Sequence, residues 1–230
     1  MKSQQKVSVI IPAYNEEKDI GRVLETVTKG PLISEVIVVD DGSKDKTSNI
    51  AEKYKVKLIK HKKNLGKASA MKSGLDIASE ELILFLDADL LGLTLKHIID
   101  LVSPISSEKT NMTVGIFKNG RFSTNFSHAI YPNISGQRCA KKELWKKIFS
   151  SIKNVENLNF GIEVEITSYL KSKNIKFQHI PLYGISQVMK EEKLGLKRGV
   201  IFRVKMYWDI SKNQVIRFFK WLGKKLKIIA

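Results

Sequence analysis

The chain has 230 residues, 43% hydrophobic and 27% charged, ordinary globular usage that excludes a disordered, collagen-like or heptad-repeat protein. Its single cysteine, Cys139, excludes an intramolecular disulfide scaffold, and His61, His97, His128 and His179 lack the spacing of a zinc ribbon. Forty Lys and Arg against 23 Asp and Glu give a net charge of +17, which favours an anionic partner: nucleic acid, a phosphorylated small molecule or an acidic lipid surface.

Short β-branched or leucine-rich runs at 6–11, 35–39, 56–60 and 81–86 each end at a turn or polar signal, as buried strands of a mainly parallel sheet do. Between them, 16–28 carries Ile20, Val23, Leu24 and Val27 on one helical face, and 46–54 and 66–78 also read as helices. Asp45 is placed to accept a free backbone N–H in the first turn of the second helix. The alternation predicts an α/β fold with a right-handed, doubly wound sheet whose ligands bind at the carboxyl ends of the strands. Further on, 94–102, 141–149 and 163–171 read as helices, 112–117 and 175–180 as strands, 118–136 as a loop, and 197–210 as a basic helix.

The opening residues do not read as an export signal, and no apolar run reaches the ~20 residues of a membrane-spanning helix, so a soluble or peripheral cytoplasmic protein is expected. From Val188 to Ala230 twelve basic residues face three acidic ones, a surplus of +9. Within that stretch Val215, Phe218, Phe219, Leu222, Leu226 and Ile229 form an apolar stripe, with Arg217, Lys220, Lys224 and Lys227 mostly off it. Such a helix suits an anionic lipid interface, or packs on its own domain with solvated lysines. No recognisable nucleic-acid module accompanies it, which disfavours a nucleic-acid partner.

Three polar clusters follow predicted strands: Pro12-Ala13-Tyr14-Asn15-Glu16, Asp40-Asp41-Gly42-Ser43 and Asp87-Ala88-Asp89. Each alone has a plainer reading as a turn followed by a helix cap, which for Asp40–Asp45 is as good as the functional one. In a doubly wound sheet all three converge on one edge, where carboxylates repel unless a cation or hydrogen-bond donor compensates. Asp87 and Asp89 fall on the same side of an extended chain, a spacing suited to Mg²⁺ or Mn²⁺ bridging to a diphosphate. Asn64-Leu65-Gly66-Lys67 is not a P-loop, because His61 stands where the first glycine belongs and Ala68 follows the lysine. No dinucleotide-binding glycine fingerprint follows the first strand, and no G-x-S-x-G elbow occurs.

Taken in order, Pro12–Glu17, Asp40–Asp45, Asn64–Lys67, Asp87–Asp89 and Ser135-Gly136-Gln137-Arg138 resemble the family 2 glycosyltransferases, nearest to the polyprenyl-phosphate sugar synthases typified by dolichyl-phosphate mannose synthase. The resemblance implies a GT-A fold, an inverting mechanism and a nucleotide-diphosphate sugar donor of the UDP or GDP type. It places Pro12, Tyr14, Glu16 and Asp40 on the nucleoside, and Asp41, Lys67 and Ala88 among the donor-binding residues. Asp87 falls on the sugar and ribose, Asp87 and Asp89 on the metal, and Lys193 on the donor phosphates. The chain departs from that branch at Leu91 and at Gln187, where Arg or His is usual. The branch's loop arginine is also missing, with Lys118 or Arg121 as substitutes.

In-line transfer needs positioning and stabilisation of the leaving diphosphate. A hydroxyl acceptor also needs a general base, for which Glu163 and Glu165 are candidates beside a reading as a solvated helix face or internal salt bridge. A phosphate acceptor needs none, and Arg138 is its natural partner. The expectation is a glycosyltransferase domain over 1–212 and a membrane-associating tail over 213–230, acting on a polyprenyl phosphate at the inner face of the membrane. The rivals are transfer to a soluble saccharide or phosphoglycerate-like hydroxyl, a sugar-phosphate nucleotidylyltransferase, and a non-catalytic basic module on the same fold.

Overall fold

The computed structural model describes residues 5–118, 135–152 and 161–188. The chain divides into two compact units, Met1–Gln187 and Val188–Ala230, and the strands and helices below belong to the first. Lys193, Arg121, the expected basic helix at 197–210, the amphipathic tail and the 212/213 boundary lie outside the described residues.

The first half alternates as its pattern predicts: β1 (Val7–Ala13), α1 (Ile20–Val27), β2 (Ile33–Asp40), α2 (Thr47–Ala51), β3 (Lys57–Lys60), α3 (Lys67–Ile77) and β4 (Leu82–Phe85). β5 (Leu90–Leu91), α4 (Leu95–Ser106), β6 (Met112–Lys118), β7 (Arg138–Lys141), α5 (Lys142–Ser151), α6 (Ile162–Ser172), β8 (Phe177–Tyr183) and β9 (Ser186–Gln187) follow. Seven strands form one sheet in the order β3-β2-β1-β4-β7-β6-β8, while β5 and β9 pair as a separate ribbon. Among the described strands of the large sheet only β7 runs against the rest. This mainly parallel sheet flanked by helices is the GT-A architecture.

Side chains alternate across a strand, and both faces of this sheet are covered. Val9, Ile11, Val36, Val38, Leu82 and Leu84 pack with α1, α2 and α4. Ile10, Ile37, Val39, Ile83 and Phe85 meet α3, α5 and α6 on the other side. There the fully buried Trp145 stands edge-on to Phe85 at 4.7 Å and donates its indole N–H to Ile83 O at 3.3 Å. Because β7 is antiparallel, its first residue, Arg138, pairs with Phe85, the last of β4. The chain just before β7 therefore arrives at the edge from which Asp87 departs.

Three strands lie where the sequence pattern predicts none. Where β7 lies the pattern predicts the junction of a loop and a helix, and at β5 and β9 it predicts no strand at all. The two-residue pairing of β5 with β9, Leu90 with Gln187 and Leu91 with Ser186, is a tertiary contact without local periodicity. α4 runs through Pro104 to Ser106, past the expected end at Val102, since burial of Ile105 outweighs the one backbone bond that proline removes. Pro181 sits in β8, an edge strand, where a missing N–H costs the ladder little. No helix among the described residues is long and apolar enough to cross a membrane.

At the amino edge of the sheet, Glu35 ties four segments together. Its Oε1 accepts from Ser8 Oγ (2.5 Å), Ser79 N–H (2.5 Å) and Ser79 Oγ (2.7 Å), and its Oε2 from Lys57 Nζ (2.5 Å). Burial raises this carboxyl's pKa, but the hydrogen bonds from Lys57, Ser8 and Ser79 outweigh it and hold it down at about 2. With the folded value depressed, the stabilisation is complete above the ordinary value of 4.5 and is lost as pH falls toward 2. Glu35→Ala is expected to cost about 2 kcal/mol at pH 7. In urea titrations that deficit should shrink at pH 3, and an unchanged deficit would refute the assignment.

Candidate functional site

The loops after β1 and β2 are clasped. Asn15 N–H donates to Ser43 Oγ, Lys44 N–H to Asn15 Oδ1, Glu16 N–H to Thr47 Oγ1, Glu17 N–H to Asp45 Oδ2 and Lys46 N–H to Glu17 Oε2. Asp45 also accepts Thr47 N–H at 3.0 Å, the helix-start bond expected of it, although α2 is shorter than its pattern suggests. The clasp brings Pro12, Tyr14, Glu16 and Asp40 to one rim. Asp40 accepts Ser43 N–H at 2.9 Å and the Ser48 hydroxyl, and like Glu16 it is buried. Tyr14, 42% exposed, offers its ring to solvent.

Asp41 plays a different part from the donor-binding one expected of it. Its carboxylate accepts Leu65 N–H at 2.9 Å and Gly66 N–H at 2.8 Å and meets His61 Nδ1 at 2.7 Å, while His61 Nε2 reaches Ser73 Oγ at 2.9 Å. Those contacts occupy both oxygens inside the protein and anchor the start of α3. Gly42, with φ of 74°, is required beside it, because a Cβ there would fall 2.5 Å from the carbonyl carbon of Lys63.

The anchored α3 carries Lys67 to the centre of the edge. Its Nζ donates to Asp87 Oδ1 and to Glu163 Oε1, each at 2.6 Å. Burial alone would lower the lysine's pKa, but the two carboxylates raise it well above its ordinary value and keep it cationic. For Asp87 burial acts upward, and the Lys67 charge together with bonds from Lys67, Gln137 and Gln187 brings the net shift downward. Gln137 Nε2 and Gln187 Nε2 reach Asp87 Oδ2 at 2.6 and 2.5 Å. Gly136 lies against this cluster so closely that a Cβ would fall 2.5 Å from Asp87 Oδ1 and 2.7 Å from Lys67 Nζ. The result is a row of carboxylate, ammonium and carboxylate, which supplies acceptors and a donor for a polyhydroxyl ligand.

Arg138 is fully buried, which sets it apart from the open acceptor-binding group expected. Its Nε donates to Ser135 O at 2.8 Å, and its Nη2 to Glu163 O at 3.2 Å and Thr167 Oγ1 at 3.1 Å. Burial pushes its pKa down to about 10, against the charges of Glu163 and Asp87. The guanidinium thus fastens the first turn of α6 and with it Glu163. Glu165 lies two positions along α6, about 200° round the helix from Glu163, and is only half-buried. Of the two candidate bases, Glu163 is the one in the row.

Of the expected metal pair Asp87 and Asp89, Asp87 is already engaged within the protein, Oδ1 by an ammonium and Oδ2 by two amides. Among the described residues no group of three or more His, Cys, Asp or Glu is arranged to hold a metal. One carboxylate fits better. Hard cations commonly take one or two carboxylates and complete their shell with water and substrate phosphate. The other carboxylate of the motif, Asp89, lies just before β5 and is mostly buried. Ala88 lies between the two, buried in the core under the rim.

Sequence reasoning missed Gln137, Gln187 as a partner of Asp87, and the close approach of Gly136. The first and last lie within the Ser135–Arg138 motif, and Gln187 is visible in the sequence as a departure from the branch.

The solved structures of glucosyl-3-phosphoglycerate synthase from Mycobacterium tuberculosis share the fold: the complex with Mn²⁺, uridine diphosphate and phosphoglyceric acid superposes with a TM-score of 0.64 at 22% identity, covering 81% of this chain and 72% of that one. The chain is 28% identical to protein MJ1222 of Methanocaldococcus jannaschii over 93% of its own length and 94% of that protein's. It is 40% identical to the human dolichyl-phosphate beta-glucosyltransferase over 101 residues, 37% of this chain and 31% of the human protein. It is also 33% identical to the dodecaprenyl-phosphate galacturonate synthase of Rhizobium johnstonii over 50% of this chain and 36% of that protein. The match thus spans about a third of each polyprenyl-phosphate relative. The model of glycosyl transferase family 2 matches residues 8–171, from the second residue of β1 to the last but one of α6, and the chain belongs to that family.

Proposed function

We propose that this glycosyltransferase moves a sugar, with inversion, from a nucleotide-diphosphate sugar of the UDP or GDP type to a polyprenyl phosphate at a membrane surface. The observation that carries the reading is the Lys67 row at the carboxyl edge of the sheet, beside a clasped rim that presents an exposed aromatic ring. Tyr14 offers a face for a nucleobase, with Pro12, Glu16 and Asp40 shaping the rim around it. Asp87 and Lys67 orient the sugar through its hydroxyl groups. Asp89 would hold a divalent cation, Mg²⁺ or Mn²⁺, whose charge offsets that of the leaving diphosphate.

In the transfer, an acceptor oxygen bonds to the anomeric carbon from the face opposite the departing diphosphate, which takes the bonding pair of the broken C–O bond. A phosphate oxygen is already anionic, so Glu163 then serves to align Lys67 and the sugar. The lipid-phosphate acceptor is supported by the names of the curated relatives, and the surface by the basic amphipathic tail.

A second reading, transfer to a soluble hydroxyl acceptor, gains support from one observation. Arg138, the expected partner of an acceptor phosphate, is spent inside the protein, while Glu163, a candidate base, lies in the row at the edge. The test uses the full chain with Mn²⁺ and radiolabelled UDP-glucose or GDP-mannose, offered either undecaprenyl phosphate in detergent or 3-phosphoglycerate. Label in the organic phase supports the lipid acceptor, and label confined to the aqueous acceptor replaces it with the second reading. Inertness toward every donor overturns the reading.

A further inference from the structure

Asp87 is gripped by amides that come from distant parts of the chain. Gln137 precedes β7 by one residue, and Gln187 lies 100 positions beyond Asp87 at the end of β9. Both donate to the same oxygen, Oδ2, while Lys67 takes Oδ1. Rotation of a carboxylate about its last torsion is intrinsically loose. Two donors on one oxygen and an ammonium on the other fix its plane.

Gln187 does this from a strand that also pairs with Leu90, so one short ribbon holds the backbone after Asp89 and the side chain of Asp87 together. The amide is neutral. An arginine or histidinium at this place, usual in the branch that the sequence resembles, would compete with Lys67 for Asp87 and add charge to a row in which Lys67 and Arg138 already balance Asp87 and Glu163.

We propose that Gln187, assisted by Gln137, is a positioning residue for the sugar part of the donor: it holds Asp87 toward Lys67 and the sugar hydroxyls and keeps that carboxylate away from the metal. The proposal rests on the nucleotide-sugar reading of the site. Its effect should therefore fall on binding of the sugar and spare binding of the nucleotide.

Gln187→Met keeps the length of the side chain and removes its donor. By isothermal titration of the full chain with Mn²⁺, the variant should bind UDP-glucose or GDP-mannose, whichever the parent protein binds, about tenfold more weakly, and the matching nucleoside diphosphate within about twofold of the parent. Undiminished sugar-nucleotide binding overturns the proposal. So does a parallel loss of both ligands, which marks a merely structural role. A readout without ligand is amide hydrogen exchange across 87–91, which should accelerate about tenfold in the variant while β1 and β2 keep their protection. Unchanged exchange also overturns it. A parent chain that binds neither sugar nucleotide sinks the donor reading, whereas the exchange result still decides the amide grip.

Discussion

Lys67→Met should be the most damaging single substitution at the edge, destabilising the fold by about 3–5 kcal/mol, the usual consequence of leaving buried charges without their partner. In a domain of this size that is a fall in Tm of roughly 10 °C. The reason is that Nζ lies 2.6 Å from both Asp87 and Glu163, and without it two carboxylates share a recessed space with only amides and the inward-turned Arg138 nearby. One carboxyl must then take up a proton, so its folded pKa rises above the unfolded one. Such a group destabilises increasingly as pH rises through that value, and the variant's deficit should shrink as pH falls from 8 toward 5. Lys67→Arg, which keeps the charge, should recover part of the stability. Equal deficits at pH 5 and pH 8 would show that the row is not the source of the loss.

Asp89→Ala should remove turnover in a protein that still folds. On the proposed role, the one carboxylate that holds the cation disappears, and the leaving diphosphate loses its principal counter-charge, an effect of about a thousandfold on kcat. EDTA should reduce the parent protein to a similar level and add nothing to the loss in the variant. The measurement is initial rate against Mn²⁺ concentration for both proteins, with thermal melts to establish folding. Full turnover in EDTA, or a variant that retains its metal response, would discard the assignment.

The first ninety residues announce their own fold because strand and helix periods alternate cleanly and every strand closes on a turn motif. Val9, Ile11, Val36 and Val38 can be placed on a covered sheet from their identity and spacing alone. β7 cannot: Arg138-Cys139-Ala140-Lys141 has neither alternation nor length, and it becomes a strand because β4 and β6 offer it ladders on both sides. The rim motifs likewise reveal which residues gather at the edge but not which way they turn. Asp41 and Asp40 are neighbours of the same chemistry, yet one is consumed by the backbone of Leu65 and Gly66 and the other by Ser43 and Ser48. Arg138 reads from its type as a ligand for an outside anion, and only its depth in the core reveals the inner carbonyls that it holds.

The carboxylate planted at the head of α3 has a wider consequence. Many nucleotide-handling folds berth a phosphate group on the free N–H groups of a helix start. In this protein Asp41 is planted just ahead of such a start, on the N–H groups of Leu65 and Gly66 that lead into α3. A phosphate approaching the head of α3 therefore meets a carboxylate in front of it, which favours mobile cations and lysine side chains over backbone dipoles as the partners of an incoming anion.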